Sequence, residues 1–193
     1  MKMNVIIVHG CLSPASEEKA SNPQTRTYDK HWLSWLKDEL SKKKIECFVP
    51  LMPTPWNPNY LLWKKEFDKL NVNEKDILIG HSCGCAFLVR WLGDTKNKIK
   101  KLILVAPWKI PSKDFSEGEN NLYDYEIFSG LKNNIKKVTI FTSDDDDKDG
   151  IKSARIYHKI LGGRLMELKE HGHFVTGDMG TNKFPELLKE VLK

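Results

Sequence analysis

Apolar positions along this chain follow two alternating rhythms. Short runs rich in β-branched residues at 4–8, 45–49, 76–80, 101–105, 137–142 and 164–168 read as strands, with the near-continuous hydrophobicity that suits burial on both faces. Between them, longer stretches at 26–42, 60–70, 82–92, 151–161 and 183–192 read as helices. In the first of these, Trp32, Trp35, Leu36 and Leu40 recur at helical spacing and predict a core-facing stripe. The alternation predicts an α/β fold, a parallel sheet covered by helices on both faces. Two stretches, 12–25 and 108–121, fit neither rhythm. Each follows a strand at its carboxyl end, the edge where loops of such sheets surround a ligand, and both are expected to lie over the site.

One junction carries chemistry. Gly80-His81-Ser82-Cys83-Gly84 follows the apolar run Asp76-Ile77-Leu78-Ile79 and precedes a buried helical stretch, the strand–turn–helix context of a nucleophile elbow. Such a turn forces the serine into a sparsely populated backbone conformation, and side chains two places to either side would collide with strand and helix; hence the glycines. Ser82 is the candidate nucleophile. The Cys83 N–H, at the helix amino end, would face an oxyanion formed on it, with the N–H of Cys11 or Leu12 as second donor.

A serine hydroxyl is protonated at neutral pH and requires a base. His81 is excluded because adjacent side chains at a sharp turn point apart, which leaves it packing beneath the elbow. His31 and His158 fall inside helices and read as surface residues, while His9 ends the first strand. His171 and His173 remain, in Glu170-His171-Gly172-His173-Phe174 after the last strand. His173 is favoured, since Gly172 permits the turn that aims it inward and Phe174 can anchor the loop. The carboxylate comes from Ser143-Asp144-Asp145-Asp146-Asp147, at the end of the fifth strand. If the run continues extended, Asp144 and Asp146 share one side, and Asp145 and Asp147 the other. The resulting order of serine, aspartate and histidine is that of α/β-hydrolases.

Metal chemistry is the competing reading of the acidic run. Asp145-x-Asp147-x-Asp149-Gly150 matches the first half of a calcium loop, but Ile156 stands where its bidentate glutamate belongs. Asp144, Asp147 and Asp149 are expected in a solvated turn. His171-x-His173 supplies two imidazoles without a third ligand nearby in sequence. No metal and no cofactor are expected.

Composition narrows the class further. The chain has 193 residues, 40% of them hydrophobic, enough for one domain over 1–193 with a substantial core. No segment approaches the roughly 18 apolar residues of a membrane span. Val5-Ile6-Ile7-Val8 is too short for the apolar region of an export signal, which predicts a cytoplasmic protein. Free thiols are then the expected state of Cys11, Cys47, Cys83 and Cys85. The net charge of +5 comes from scattered lysines, including Lys42, Lys43, Lys44, Lys98, Lys100 and Lys101. Without accompanying aromatic or arginine clusters these read as solvated surface, and nucleic acid is not expected as a partner.

Val8-His9-Gly10, His31-Trp32-Leu33-Ser34-Trp35-Leu36, Val49-Pro50-Leu51-Met52-Pro53, Gly80-His81-Ser82-Cys83-Gly84 and Gly172-His173-Phe174 together resemble the small serine hydrolases of the YdeN and retinoblastoma-binding type. The resemblance runs over nearly the whole chain. It implies Ser82 as nucleophile, His173 as base and Asp146 as the partner of His173. Members of that family usually carry a proline after the catalytic aspartate, where this chain has Asp147, and their loop corresponding to 12–25 is shorter. The expectation is a minimal α/β-hydrolase, its six-stranded parallel sheet in the order 2-1-3-4-5-6, without a large lid. It would transfer the acyl group of a small ester, thioester or amide to water. A non-catalytic module that keeps the fold and binds a protein partner over 12–25 and 108–121 is the alternative.

Overall fold

The structure is a computed structural model and describes residues 2–12, 17–27, 29–111 and 122–193. Six strands, β1 (Asn4–Val8), β2 (Glu46–Phe48), β3 (Ile77–His81), β4 (Ile99–Val105), β5 (Ile135–Ser143) and β6 (Arg164–Leu168), form one sheet in the order β2-β1-β3-β4-β5-β6. Every pairing is parallel. The helices are α1 (Glu17–Ser21), α2 (His31–Lys42), α3 (Tyr60–Phe67), α4 (Cys83–Thr95), α5 (Lys148–Leu161), α6 (Thr176–Met179) and α7 (Pro185–Leu192). Fold class and strand order agree with the sequence reading. No helix among the described residues is long and apolar enough to cross a membrane.

Strand side chains alternate between two cores. Ile6, Val8, Leu78, Leu102, Leu104 and Ile140 pack with Trp63, Phe87, Ala154 and Tyr157 from α3, α4 and α5. Val5, Ile7, Ile77, Ile79, Ile103 and Val105 face the other way, onto Trp32, Leu33, Leu36 and Leu40 of α2 and Leu187 and Val191 of α7. Both faces of the central strands are thus dry, as their unbroken apolar runs require.

Element ends depart from expectation where local chemistry intervenes. The helix expected from 26 begins only at His31: Asn22 accepts from Gln24 N–H at 2.9 Å through its side chain and from Thr25 and Arg26 N–H through its carbonyl, and Lys30 N–H donates to the Thr27 carbonyl. Helix α5 starts earlier than expected, at Lys148, where the Asp147 carboxylate caps it. Helices α1 and α6 were not anticipated; α1 lies inside the stretch 12–25. Residues 13–16 and 112–121 of the two expected site loops lie outside the described residues. Lys101, expected on the surface, is buried: β4 begins at Ile99 and turns this side chain toward α7. There its Nζ donates to the Glu190 carbonyl at 2.5 Å and lies 3.7 Å from the Glu190 carboxylate.

Candidate active site

Ser82 sits between β3 and α4 with φ 52° and ψ −121°, a left-handed backbone that no other part of the elbow shares. Its N–H donates to the Val105 carbonyl at 3.0 Å, and its carbonyl accepts from Trp108 N–H at 3.2 Å, so the strained residue is pinned to β4 and the segment after it. The flanking glycines are there for space: a Cβ on Gly84 would stand 2.5 Å from the Val8 and His9 carbonyl oxygens, and one on Gly80 would stand 2.8 Å from the Cys85 backbone. Gly10 brings the loop after β1 against the same serine, where a Cβ would approach the Ser82 Cβ to 3.2 Å.

His173 reaches Ser82 from the loop after β6. Its Nε2 lies 2.8 Å from Ser82 Oγ, and its Nδ1 lies 3.0 Å from Asp146 Oδ1. Asp146 is buried, and its Oδ1 also accepts from Asp147 N–H at 2.8 Å. Ser82, Asp146 and His173 are therefore brought into one hydrogen-bonded row. Gly172 at φ 48° and Phe174 at φ 57° turn the chain on either side of His173, and Phe174 is fully buried. A Cβ on Gly172 would meet Asp178 at 2.5 Å, and the Asp178 carboxylate accepts from His173 N–H at 2.7 Å.

The acidic run is a set of clamps. Strand β5 stops at Ser143, so Asp144 to Asp146 turn instead of alternating as an extended chain would. Asp144 accepts from Glu170 N–H at 3.0 Å, and Asp145 accepts from Gly172 N–H at 2.8 Å and from the Ser143 hydroxyl. The Ser143 hydroxyl and then the Gly172 N–H hold the Asp145 carboxyl below its ordinary range. Asp147 accepts from Asp149 N–H at 2.8 Å at the start of α5. Asp144 and Asp147 are exposed at this turn, as expected, and both carboxylates also accept from backbone N–H groups. No group of three or more potential metal ligands occurs among the described residues.

Other residues take parts that sequence reasoning missed or misplaced. His81 Nε2 donates to the His173 carbonyl at 2.9 Å, and burial, followed by the neighbouring His173, pushes the His81 imidazole down to about 3. His31, expected at the surface, is partly buried; its Nδ1 accepts from Thr176 N–H at 3.1 Å and its ring packs edge-on to His81. His9, lowered to about 4 mainly by burial, accepts at Nε2 from Met52 N–H at 2.9 Å. Trp108 stands edge-on to His173 with ring centroids 5.8 Å apart, and its buried indole N–H has no partner among the described residues. With Asp145, Asp146, Asp147, Gly172 and Asp178 it lines a cleft of about 380 Å³ that opens beside His173. The sequence signals for these positions were the adjacency of His81 to Ser82 and, for Trp108, its place at the start of the stretch 108–121 expected over the site.

Two oxyanion candidates are resolved by what their N–H groups do. Leu12 N–H donates to the Pro55 carbonyl at 2.9 Å and is committed there, which removes Leu12 as a donor. Cys11 N–H has no backbone acceptor among the described residues, and Cys83, first in α4, has no intrahelical one. The four free thiols expected from sequence are not found: Cys11 and Cys83 form a disulfide with Cα atoms 5.7 Å apart, leaving Cys47 and Cys85 free.

A parallel sheet in this order, with a serine elbow after β3 and a histidine after β6, defines an α/β-hydrolase fold. The sequence model of the serine hydrolase family matches residues 24–193, and the chain belongs to that family. It is 22% identical over 195 residues to the hydrolase YdeN of Bacillus subtilis, covering 96% of this chain and 92% of that protein. It is 24% identical over 163 residues to the serine hydrolase RBBP9 of Rattus norvegicus, covering 83% and 84%. The crystal structure of YdeN superposes with a TM-score of 0.82 at 20% identity over 100% of this chain and 97% of that one. Est1E from Butyrivibrio proteoclasticus shares the fold at a TM-score of 0.65 and 13% identity, over 99% and 87%.

Proposed function

We propose that this serine hydrolase is carboxylesterase-like and cleaves a small ester, thioester or amide through an acyl-Ser82 intermediate. The observation that carries the reading is the row Asp146–His173–Ser82, with contacts of 3.0 and 2.8 Å. His173 Nε2 takes the Ser82 proton as Oγ attacks the substrate carbonyl carbon, and the proton then passes to the leaving group. Asp146 accepts from Nδ1–H, which fixes the tautomer that leaves Nε2 free to act as base. The N–H groups of Cys83 and Cys11 receive the oxyanion, assisted by the amino end of α4. Water, activated by the same imidazole, then releases the acyl group, and no step needs a cofactor.

Labelling with a fluorophosphonate, followed by peptide mapping, tests this directly. The expected result is modification of Ser82 alone, with labelling and p-nitrophenyl ester turnover both abolished in Ser82→Ala. Labelling elsewhere, or undiminished turnover in that variant, rejects the assignment. Residual catalysis far below wild type does not, because oxyanion donors alone retain roughly 10³–10⁴-fold acceleration over water.

A further inference from the structure

Cys11 and Cys83 are joined side chain to side chain, and their two N–H groups are the donors assigned above to the oxyanion. The inference below rests on that assignment. Cys83 opens α4 and is completely buried, whereas Cys11 lies on the loop after β1 and is only half-buried. Their Cα separation of 5.7 Å lies within the ordinary span of a disulfide, so backbone shift is not required to make or break the bond. Among the described residues of the loop, the neighbouring backbone–backbone bond is that from Leu12 N–H to the Pro55 carbonyl. The other cysteines stand apart: Cys85 directs its thiol at the Val105 carbonyl, and Cys47 lies on β2 at the sheet edge.

We propose that Cys11 and Cys83 form a reversible oxidation site whose disulfide clamps the oxyanion-binding loop to the serine elbow and raises turnover at Ser82. A hydroperoxide is the oxidant class. The more exposed Cys11 thiolate attacks its terminal oxygen, the O–O bond breaks, and an alcohol or water leaves, so that Cys11 becomes a sulfenic acid. The Cys83 thiolate then attacks that sulfur, the S–O bond breaks, and water leaves with the disulfide formed. Two electrons have passed from the thiols to the peroxide. A dithiol reverses the step by exchange and is itself oxidised.

The direction follows from the geometry. Ser82, His173 and Asp146 are in line in the bonded form, so this form holds a competent site. Opening the bond releases Cys11 from α4 and leaves its N–H to be repositioned in each turnover, which removes preorganisation from the oxyanion donors. The acyl substrate's ground state does not depend on those donors, so kcat carries the effect and KM does not.

The test compares peroxide-oxidised and dithiol-reduced full-length protein. Alkylation after denaturation counts thiols, expected to be two in the oxidised form and four in the reduced. Hydrogen exchange over residues 10–12 is expected to slow on oxidation. For p-nitrophenyl ester turnover, kcat is expected to fall at least tenfold on reduction, bounded by the roughly 10²–10³-fold loss of a whole oxyanion donor, and to recover on reoxidation. Cys11→Ser/Cys83→Ser is expected to stay at the reduced level under both conditions, and Cys47→Ser to respond as wild type. Four thiols after peroxide, or two thiols with equal kcat in both states, overturns the proposal. If neither state turns over or is labelled at Ser82, the hydrolase reading fails, and the gating falls with it. Thiol count and exchange then report separately whether the oxidation site and its clamp exist.

Discussion

The side-chain N–H of His81 is bonded to the backbone carbonyl of His173 at 2.9 Å, so the residue next to the elbow serine holds the main chain that carries the imidazole facing Ser82. A carbonyl partner dictates that the proton sits on Nε2, and the burial that keeps the ring neutral preserves that tautomer. His81→Ala is expected to lower kcat by about tenfold through a loosened His173, with KM nearly unchanged. His81→Gln, whose amide can donate to the same carbonyl, is expected to recover part of the loss. Equal kcat in all three proteins, or a change confined to KM, removes His81 as a positioning residue.

The clamps assign different losses to neighbouring aspartates. Asp146→Asn is expected to reduce kcat by several orders of magnitude, up to about the 10⁴-fold cost of a wrong imidazole tautomer. Asp145→Asn keeps an oxygen to accept from Gly172 N–H, so a loss below about tenfold is expected. Steady-state kinetics on folded variants decides between them, and the reverse order of losses makes Asp145 the partner of His173. Treatment with EDTA is expected to leave wild-type kcat unchanged; activity lost to the chelator and restored by calcium would revive a metal role for this turn.

Gly150 makes room for Asp146, since a Cβ there would stand 2.9 Å from Asp146 Oδ2. Alanine ordinarily strengthens a helix by roughly 0.5–1 kcal/mol over glycine. Gly150→Ala is therefore expected to leave the melting temperature near or above wild type while lowering kcat about tenfold through a displaced carboxylate. Unchanged kcat shows that Asp146 does not need this space.

Acid should destabilise the fold through two buried histidines. His9 and His81 fall from 6.5 to about 4 and about 3 on folding, so the unfolded chain takes up their protons first as pH drops. Their contribution is complete above pH 6.5 and is lost progressively as pH falls toward 4 and then 3. Each unit of that fall costs about 1.4 kcal/mol per histidine at most. The lowered Asp145 carboxyl acts in the same direction at lower pH. Urea midpoints are expected to decrease from pH 7 to pH 5, and equal midpoints would contradict neutral burial of these rings.

Strand–helix alternation, the serine between two glycines, and the histidine beside Gly172 were legible in the chain because each expresses a local demand: a period, a strained φ, a turn. Pro185 at the start of α7 and the Asp147 cap of α5 are local features too, and the helix ends they set lie a few residues from the expected ones. Other features needed the tertiary structure. The choice among the aspartates depends on β5 ending at Ser143, after which the turn, not strand alternation, aims Asp145 at Gly172 and Asp146 at the imidazole. Lys101 is buried because Glu190, far along the chain, waits for it on α7. His31 meets Thr176, and His81 meets the His173 carbonyl, only after β1, β3 and β6 bring their carboxyl ends to one edge. Cys11 and Cys83, 72 residues apart, carry no spacing that marks them as a pair; packing the loop after β1 against the amino end of α4 is what brings their sulfurs together. Periodicity and backbone strain act over a few residues and are written in the order of the chain. Partners across the sheet edge are selected by packing, which sequence spacing does not encode.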